Sequence, residues 1–549
     1  MILEAWLIPI LTLFTISCTI FFLTRKQNRL QPPGPPGPKG LPILGNLLSL
    51  DPELHTYFTS WAQTYGPIYS LQLGNKLGIV ISSATHAREV LKDHDTIFAN
   101  RDVPAAGRVA TYDGLDIVWS PYGATWRLLR KVCVRELLSP ATLDAVYGLR
   151  RQEIRRMIHG LSEKTDKTVV NIGEEMFLVV MKVVTGMLWG GSVVAEEERE
   201  NIGSEFRAAV SELTGLLSVP NLSDFFPGLE RFDLQGVEKR MKKCAKWLDG
   251  IFEKVIEQRL RNGGESKKDF LEVLLQMKDD FEGEGSDKVS FSMTHLKALL
   301  MDMVVGGTDT TSNTVELAMA EILNKPEVLK NIQQELDSVV GRDNVVEEHH
   351  TFKLPYLLAV MKEALRLHPV LPLLVPHCPS ESCIIGGYTI PKGSRVFVNV
   401  WAIHRDPSIW SNPLEFDPDR FLNAKFDFSG NDFSYFPFSS GRRICVGIAM
   451  AERMVLYSLA SLLHSFDWKL PEGEELDLQE KFGIVLSKKT PLLVIPHCRL
   501  SSADMYDNMI HLCGAMIVLR SSSQIWNFPL VRFQQVLSMC AGLSLTSFP

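Results

Sequence analysis

Nowhere among the nine cysteines do two stand two residues apart, the spacing that a zinc knuckle would need. Their odd number and scatter exclude a disulfide framework and fit a reducing compartment for most of the chain. Basic charge is also short. Lys plus Arg total 57 against 64 Asp plus Glu, which argues against nucleic acid as a partner. No Gly-x-Gly-x-x-Gly opens a strand–helix unit, and no space for a flavin domain remains beside the body, so electrons for redox chemistry must come from another protein. No internal repeat and no second Gly-, Ser- or Pro-rich linker divides residues 41–506, which predicts one unit. A hydrophobic fraction of 45% with 22% charged residues excludes disorder as the default.

Charge is missing altogether from Ala5 to Leu23, a run dominated by Leu, Ile and Phe. As a helix it would span ~28 Å, close to the hydrocarbon thickness of a bilayer. Arg25, Lys26 and Arg29 follow it and only Glu4 precedes it, so the body is expected on the cytosolic side. A cleaved signal peptide would want positive charge before the run and a small-residue site after it, and neither is there. Residues 1–30 therefore read as an uncleaved signal-anchor, a single N-terminal transmembrane helix. Residues 31–40 carry Pro32-Pro33-Gly34-Pro35-Pro36-Gly37-Pro38, too proline-dense for helix or central strand, and read as a stiff hinge.

Within residues 41–506 apolar positions recur at helical spacing over Leu138–Ile158, Gly236–Arg261 and Ser292–Leu323. Strand-like pieces cluster at Ile68–Ile81, turning at Gly74-Asn75, and at Cys383–Val400. The expected class is mainly α with small β-sheets.

The segment richest in chemistry is Phe436-Pro-Phe-Ser-Ser-Gly-Arg-Arg-Ile-Cys-Val-Gly447, with a helix pattern following from Ile448 to His464. A sulfur ligand to iron must be a thiolate, and backbone N–H groups at a helix N-terminus stabilise one. Glycines at 441 and 447 permit a tight turn and close approach to a flat cofactor. A lone buried cysteine would read as core. The complete pattern Phe438-x-x-Gly441-x-Arg443-x-Cys445-x-Gly447 instead resembles the haem-binding signature of the cytochrome P-450 family, with Cys445 as axial ligand to the iron.

That resemblance covers about Pro32 to Tyr506 and implies the P-450 fold, haem b, dioxygen, a lipophilic small-molecule substrate, and electrons from NADPH through a separate reductase in the same membrane. Arg127, Lys131 and Arg442 are candidate contacts for the reductase. Trp126 and Arg130 match the family's Trp-x-x-x-Arg form and, with Arg101, His377 and Arg443, are implied around the haem propionates. Gly306-Gly307-Thr308-Asp309-Thr310-Thr311 is similar to the oxygen-activation motif. The two glycines are expected to interrupt a long helix with a widened turn, at a cost of ~1–2 kcal/mol, leaving Asp309 and Thr310 to deliver protons. Glu363, Arg366 and Arg420 resemble a buried Glu-Arg-Arg network and are assigned a structural part. Asn221-Leu-Ser-Asp-Phe-Phe-Pro227, with the proline hinge, looks like the plant microsomal, A-type branch, located in the endoplasmic reticulum membrane. Ser439 departs from that branch's usual Gly, and Asp419 from its Glu.

Segments resembling the family's recognition regions are Val103–Val118, Thr214–Phe226, Met301–Val305, Val370–Val375 and Phe482–Val485, largely apolar. They suggest a plant specialised metabolite. A terpenoid, especially a sesquiterpene, is the first expectation and a flavonoid the alternative. Two readings from other classes are a redox-neutral enzyme converting hydroperoxides, disfavoured by the Asp309-Thr310 pair, and an inactive haem-binding membrane protein. Residues 507–549 fit none of this and read as a non-functional extension.

Overall fold

The longest apolar pattern in the body becomes its axis. In this computed structural model, which describes residues 32–166, 168–190, 199–261, 269–282, 291–423 and 426–507, Met293–Asn324 is one continuous helix. Ser292 and His295 close a reciprocal cap at its start. It packs against the helices Ile172–Trp189 and Ile448–Ser465, and these buried faces form the main apolar core.

The expected interruption at Gly306-Gly307 does not occur. The helix passes through both glycines, and each has its own reason. A Cβ on Gly307 would come 3.2 Å from Val184 Cγ2, so this glycine admits the neighbouring helix, whereas Gly306 faces open space. Hydroxyls of Thr308, Thr310, Ser312 and Thr314 each donate to the carbonyl four residues back, a back-bonding that satisfies polar groups inside an apolar helix. The Leu138–Ile158 pattern also differs from expectation. It divides at Val146, φ −96° and ψ 12°, into Pro140–Ala145 and Tyr147–Glu163; the first begins at Pro140 because Ser139 caps the Thr142 N–H and Pro140 occupies the first helical position.

Strand Ile68–Leu73 pairs antiparallel with Lys76–Ile81 through the turn at Gly74, which sits at φ +54°. Lys76–Ile81 then takes Arg395–Val398 as a parallel partner. Cys383–Ile385 and Tyr388–Ile390 form a separate hairpin. These strands enclose a second, smaller apolar cluster.

The proline-rich segment is docked on this sheet rather than free. Pro36 O accepts the Ser70 N–H at 2.7 Å and Pro33 O accepts the Thr389 N–H at 3.0 Å. Prolines have no N–H to offer, but their carbonyls accept normally. At the other end Tyr506 is buried; its hydroxyl donates to Ser465 O and accepts the N–H groups of Arg499 and Leu500. The expected transmembrane helix in residues 1–30, and residues 508–549 of the expected extension, lie outside the described residues. Among the described residues no helix is long and apolar enough to cross a membrane.

Candidate active site

Cys445 sits between a tight turn and the N-terminus of the Ile448–Ser465 helix. Its N–H donates to Phe438 O at 3.0 Å, and Ile444 N–H donates to Gly441 O at 3.2 Å. Gly441 adopts φ +67°, and a Cβ there would lie 2.0 Å from Leu91 O. No other residue fits that position. Arg442 holds the turn's outer side through Asp95 at 3.1 Å and the Tyr122 hydroxyl at 2.9 Å.

The sulfur accepts the Gly447 N–H at 3.3 Å. Burial pushes its thiol up, while Gly447 and Arg130 pull it back down. Yet Cys445 keeps exposed surface, as does Gly306 in the middle of the central helix. Exposed atoms on core elements mean that the molecule contains a void at these positions.

Two guanidinium groups and an imidazole crowd together behind the Cys445 turn. Arg443 donates to the carbonyls of Ala99 at 2.7 Å, Ile117 at 3.0 Å and Ser120 at 2.6 Å. Burial pushes its pKa down to about 10. Arg101 donates to Val375 O and Pro376 O, and its Nε is buried without a partner. His377 Nδ1 donates to Phe98 O at 2.7 Å, so Nδ1 carries the proton, and its Nε2 is buried and unpartnered. Burial, and then Arg443 for Arg101 and Arg101 for His377, push both groups well below their usual values. Trp126 Nε1 donates to Ile117 O at 3.0 Å, and Arg130 donates to Ile444 O at 2.7 Å. The guanidinium of Arg443 lies 4.6 Å from the Trp126 ring centroid.

Trp126 and Arg130 thus share a helix face, but each polar head is occupied by backbone in this state. Asp116 was not anticipated from the sequence. It is fully buried, faces Arg443 and Arg101, and burial pushes it up to about 6. A loop aspartate without a motif carries no signal of that environment.

On the central helix Asp309 is buried and its Oδ2 accepts the Thr214 hydroxyl at 3.2 Å. Burial pushes its carboxyl up, against smaller lowering by Thr214 and Arg207. Thr310 donates to Gly306 O at 2.8 Å, which leaves its hydroxyl lone pairs free to accept. Glu363 receives Arg366 at 2.7 and 2.8 Å and Arg420 at 3.3 Å.

These residues fit a haem. Accessible surface remains at Cys445 and at Gly306, and the buried guanidinium groups of Arg101 and Arg443, with the orphaned Arg101 Nε, call for carboxylates such as propionates. The fold and site define a helical haem-thiolate oxygenase. The chain belongs to the cytochrome P450 family, whose model matches residues 35–495.

Relatives agree over nearly their whole length. A flavonoid 3'-monooxygenase of Crocosmia x crocosmiiflora is 40% identical over 500 residues, covering 89% of this chain and 97% of that one. A flavonoid 3'-monooxygenase of Petunia hybrida is 39% identical over 506 residues, with 90% and 98% covered. A 7-ethoxycoumarin O-deethylase of Helianthus tuberosus is 40% identical over 466 residues, with 84% and 94% covered. A solved zebra fish cytochrome P450 with abiraterone superposes with a TM-score of 0.68 at 26% identity, covering 81% of this chain and 99% of that one. The chain is a haem-thiolate monooxygenase that binds haem b and receives electrons from NADPH through a reductase. Bound haem supplies reductive activation of dioxygen, with one oxygen entering a substrate C–H bond and the other leaving as water.

Proposed function

We propose that this monooxygenase hydroxylates a flavonoid. The observation that carries the reading is the likeness to flavonoid 3'-monooxygenases over 97% and 98% of their lengths. The sesquiterpene expectation rested on an overall likeness to terpenoid-hydroxylating members of the A-type branch and on recognition segments short of basic residues, and it gives way to the flavonoid alternative. Cys445 is the axial ligand. Arg101, His377 and Arg443 neutralise the propionates, with Trp126 and Arg130 on the neighbouring helix face. Asp309, whose carboxyl burial pushes up, is the proton reservoir, and Thr310 is the acceptor that passes protons onward. Glu363, Arg366 and Arg420 hold the fold. Residues 1–30 anchor the protein in the endoplasmic reticulum membrane, where the reductase meets the Cys445 side.

The test is expression of the full chain in microsomes with reductase. A strongly red-shifted carbon monoxide difference band is expected, followed by NADPH-dependent hydroxylation of a flavanone. Turnover of sesquiterpenes with none of flavonoids would overturn the substrate reading. Thr310→Ala separates the reaction classes: oxygen consumption without product marks a monooxygenase, whereas unchanged hydroperoxide conversion marks the redox-neutral alternative.

A further inference from the structure

Far from Cys445 in sequence, a second charged cluster is buried beneath the active-site helix. Glu480 lies on the short strand Glu480–Lys481, paired antiparallel with Ser487–Lys488. Its Oε2 accepts Trp401 Nε1 at 2.9 Å and faces His55 Nε2 at 3.3 Å; its Oε1 faces His368 Nδ1 at 2.5 Å and Arg405 at 3.6 Å. The other nitrogen of His368 faces Glu321 Oε1 at 2.7 Å. Carboxylates only accept, so a ring wedged between two of them carries both protons and is a cation. Two carboxylates are thereby balanced by His368 and Arg405 inside the protein.

The hairpin that Glu480 begins meets the central helix one turn from Thr310. Phe482 stacks on the His55 ring at 5.5 Å, and its N–H donates to Glu53 at 2.9 Å. Leu486 donates to Val370 O at 2.8 Å, and Leu486 O accepts Asn313 at 3.2 Å. Asn313 stands one turn beyond Thr310 on the central helix. The apolar turn Ile484-Val485 is therefore suspended between the charged cluster at its base and the active-site helix at its tip.

We propose that Glu480 is a positioning residue: gathered by donors from three other segments of the chain, it fixes the 482–485 turn beside Thr310 and so sets which carbon of the substrate is presented for oxidation. This rests on the monooxygenase reading and extends it to regiochemistry. The charged and titratable groups around the cluster are Glu53 just before the Leu54–Tyr65 helix and His55 on it, Glu321 on the central helix, Glu363 and Arg366 on the Pro355–Leu367 helix, Arg405 after the Val400–Ile403 helix, and Lys488. Glu321 and Glu480 raise the pKa of His368 against its burial. The anchor is then complete in acid and is lost as pH rises above 6.5 through that raised value.

The test uses the full-length holoprotein with Glu480→Gln. The carbon monoxide difference band should stay red-shifted, while hydrogen exchange at the amides of residues 481–487 rises by about tenfold. For 7-ethoxycoumarin the KM should rise by about tenfold with kcat nearly unchanged, and flavanone products should shift in position. Unchanged exchange, or raised exchange with both KM and product positions unaltered, overturns the proposal. Should Glu480→Gln fail to hold haem, the unaltered protein read across pH carries the same test: relative to the intrinsic base-catalysed rate, hairpin protection should fall in alkali as KM rises, and protection and KM that do not change together overturn the proposal. Failure of the flavonoid reading shows separately, as absent flavanone turnover by the unaltered protein while 7-ethoxycoumarin still reports the anchor.

Discussion

Glu363 and Asp309 are both carboxylates sunk in the helical core, yet their surroundings are opposite. Glu363 is fully buried and is met by Arg366, by Arg420 and by the Asp417 N–H at 2.9 Å. Arg366 spends its remaining donors on the carbonyls of His404, Pro413 and Glu415. Every charge there is paired. Asp309 has one neutral hydroxyl partner, and burial pushes its carboxyl up. The paired acid is part of the framework, and the underpaired one is poised to exchange a proton. Low polarity strengthens the first arrangement and destabilises the charged form of the second.

The contrast breaks most sharply at Glu363. Replacing it by alanine strands the buried guanidinium of Arg366, and a loss of about 3–5 kcal/mol is expected. Thermal melting and the carbon monoxide difference spectrum should show little folded holoprotein; a melting temperature near that of the parent would deny the network its structural part.

At Asp309 the expected loss is in turnover. Asp309→Asn keeps the shape and removes the exchangeable proton, so product formation should fall by about 100-fold with haem binding retained. NADPH consumption measured beside product formation reads this, and unaltered turnover would remove Asp309 from proton delivery.

A smaller effect sharpens the comparison through pH. The raised carboxyl of Asp309 stabilises the fold in acid, and that contribution is lost as pH rises through its folded pKa. Asp309→Asn should therefore melt above the parent at pH about 8 and close to it in acid, where both side chains are neutral. A melting difference independent of pH would contradict that environment.

The smallest effect expected lies in the ligand loop. Ser439 adopts φ +68° two residues before Gly441, a left-handed conformation that a side chain resists. Ser439→Gly should stabilise by about 0.5–1 kcal/mol, read as a modest rise in melting temperature with the haem spectrum unchanged.

Helices Gly236–Arg261 and Ser292–Leu323 were readable to within a residue or two because their apolar spacing is local and their ends are marked by Gly236, Ser292 and Pro326. The Leu138–Ile158 pattern starts at Pro140, where a capping serine and a proline set the helix end, and its break at Val146 carries no local signal in the continuing apolar period. The proline segment reads as a stiff hinge from its composition, which says nothing of which carbonyls find donors on the sheet. In the candidate site Cys445, Asp309 and Thr310 stand within recognisable local motifs. Asp116 does not, and its position against Arg443 comes from a loop folding back.

By itself, the amino-acid order determined the ligand loop, the central helix with its acid and hydroxyl, and the class of chemistry. Each depends on residues within about two helical turns of one another, where spacing alone dictates geometry. Tertiary structure decided which carboxylates are paired, where positive charge collects, and how the 482–485 turn is held. His55 and Glu480 meet across 425 residues, and no local pattern encodes such a pairing. Burial and partner together set the protonation of a group, and both are properties of the packed chain.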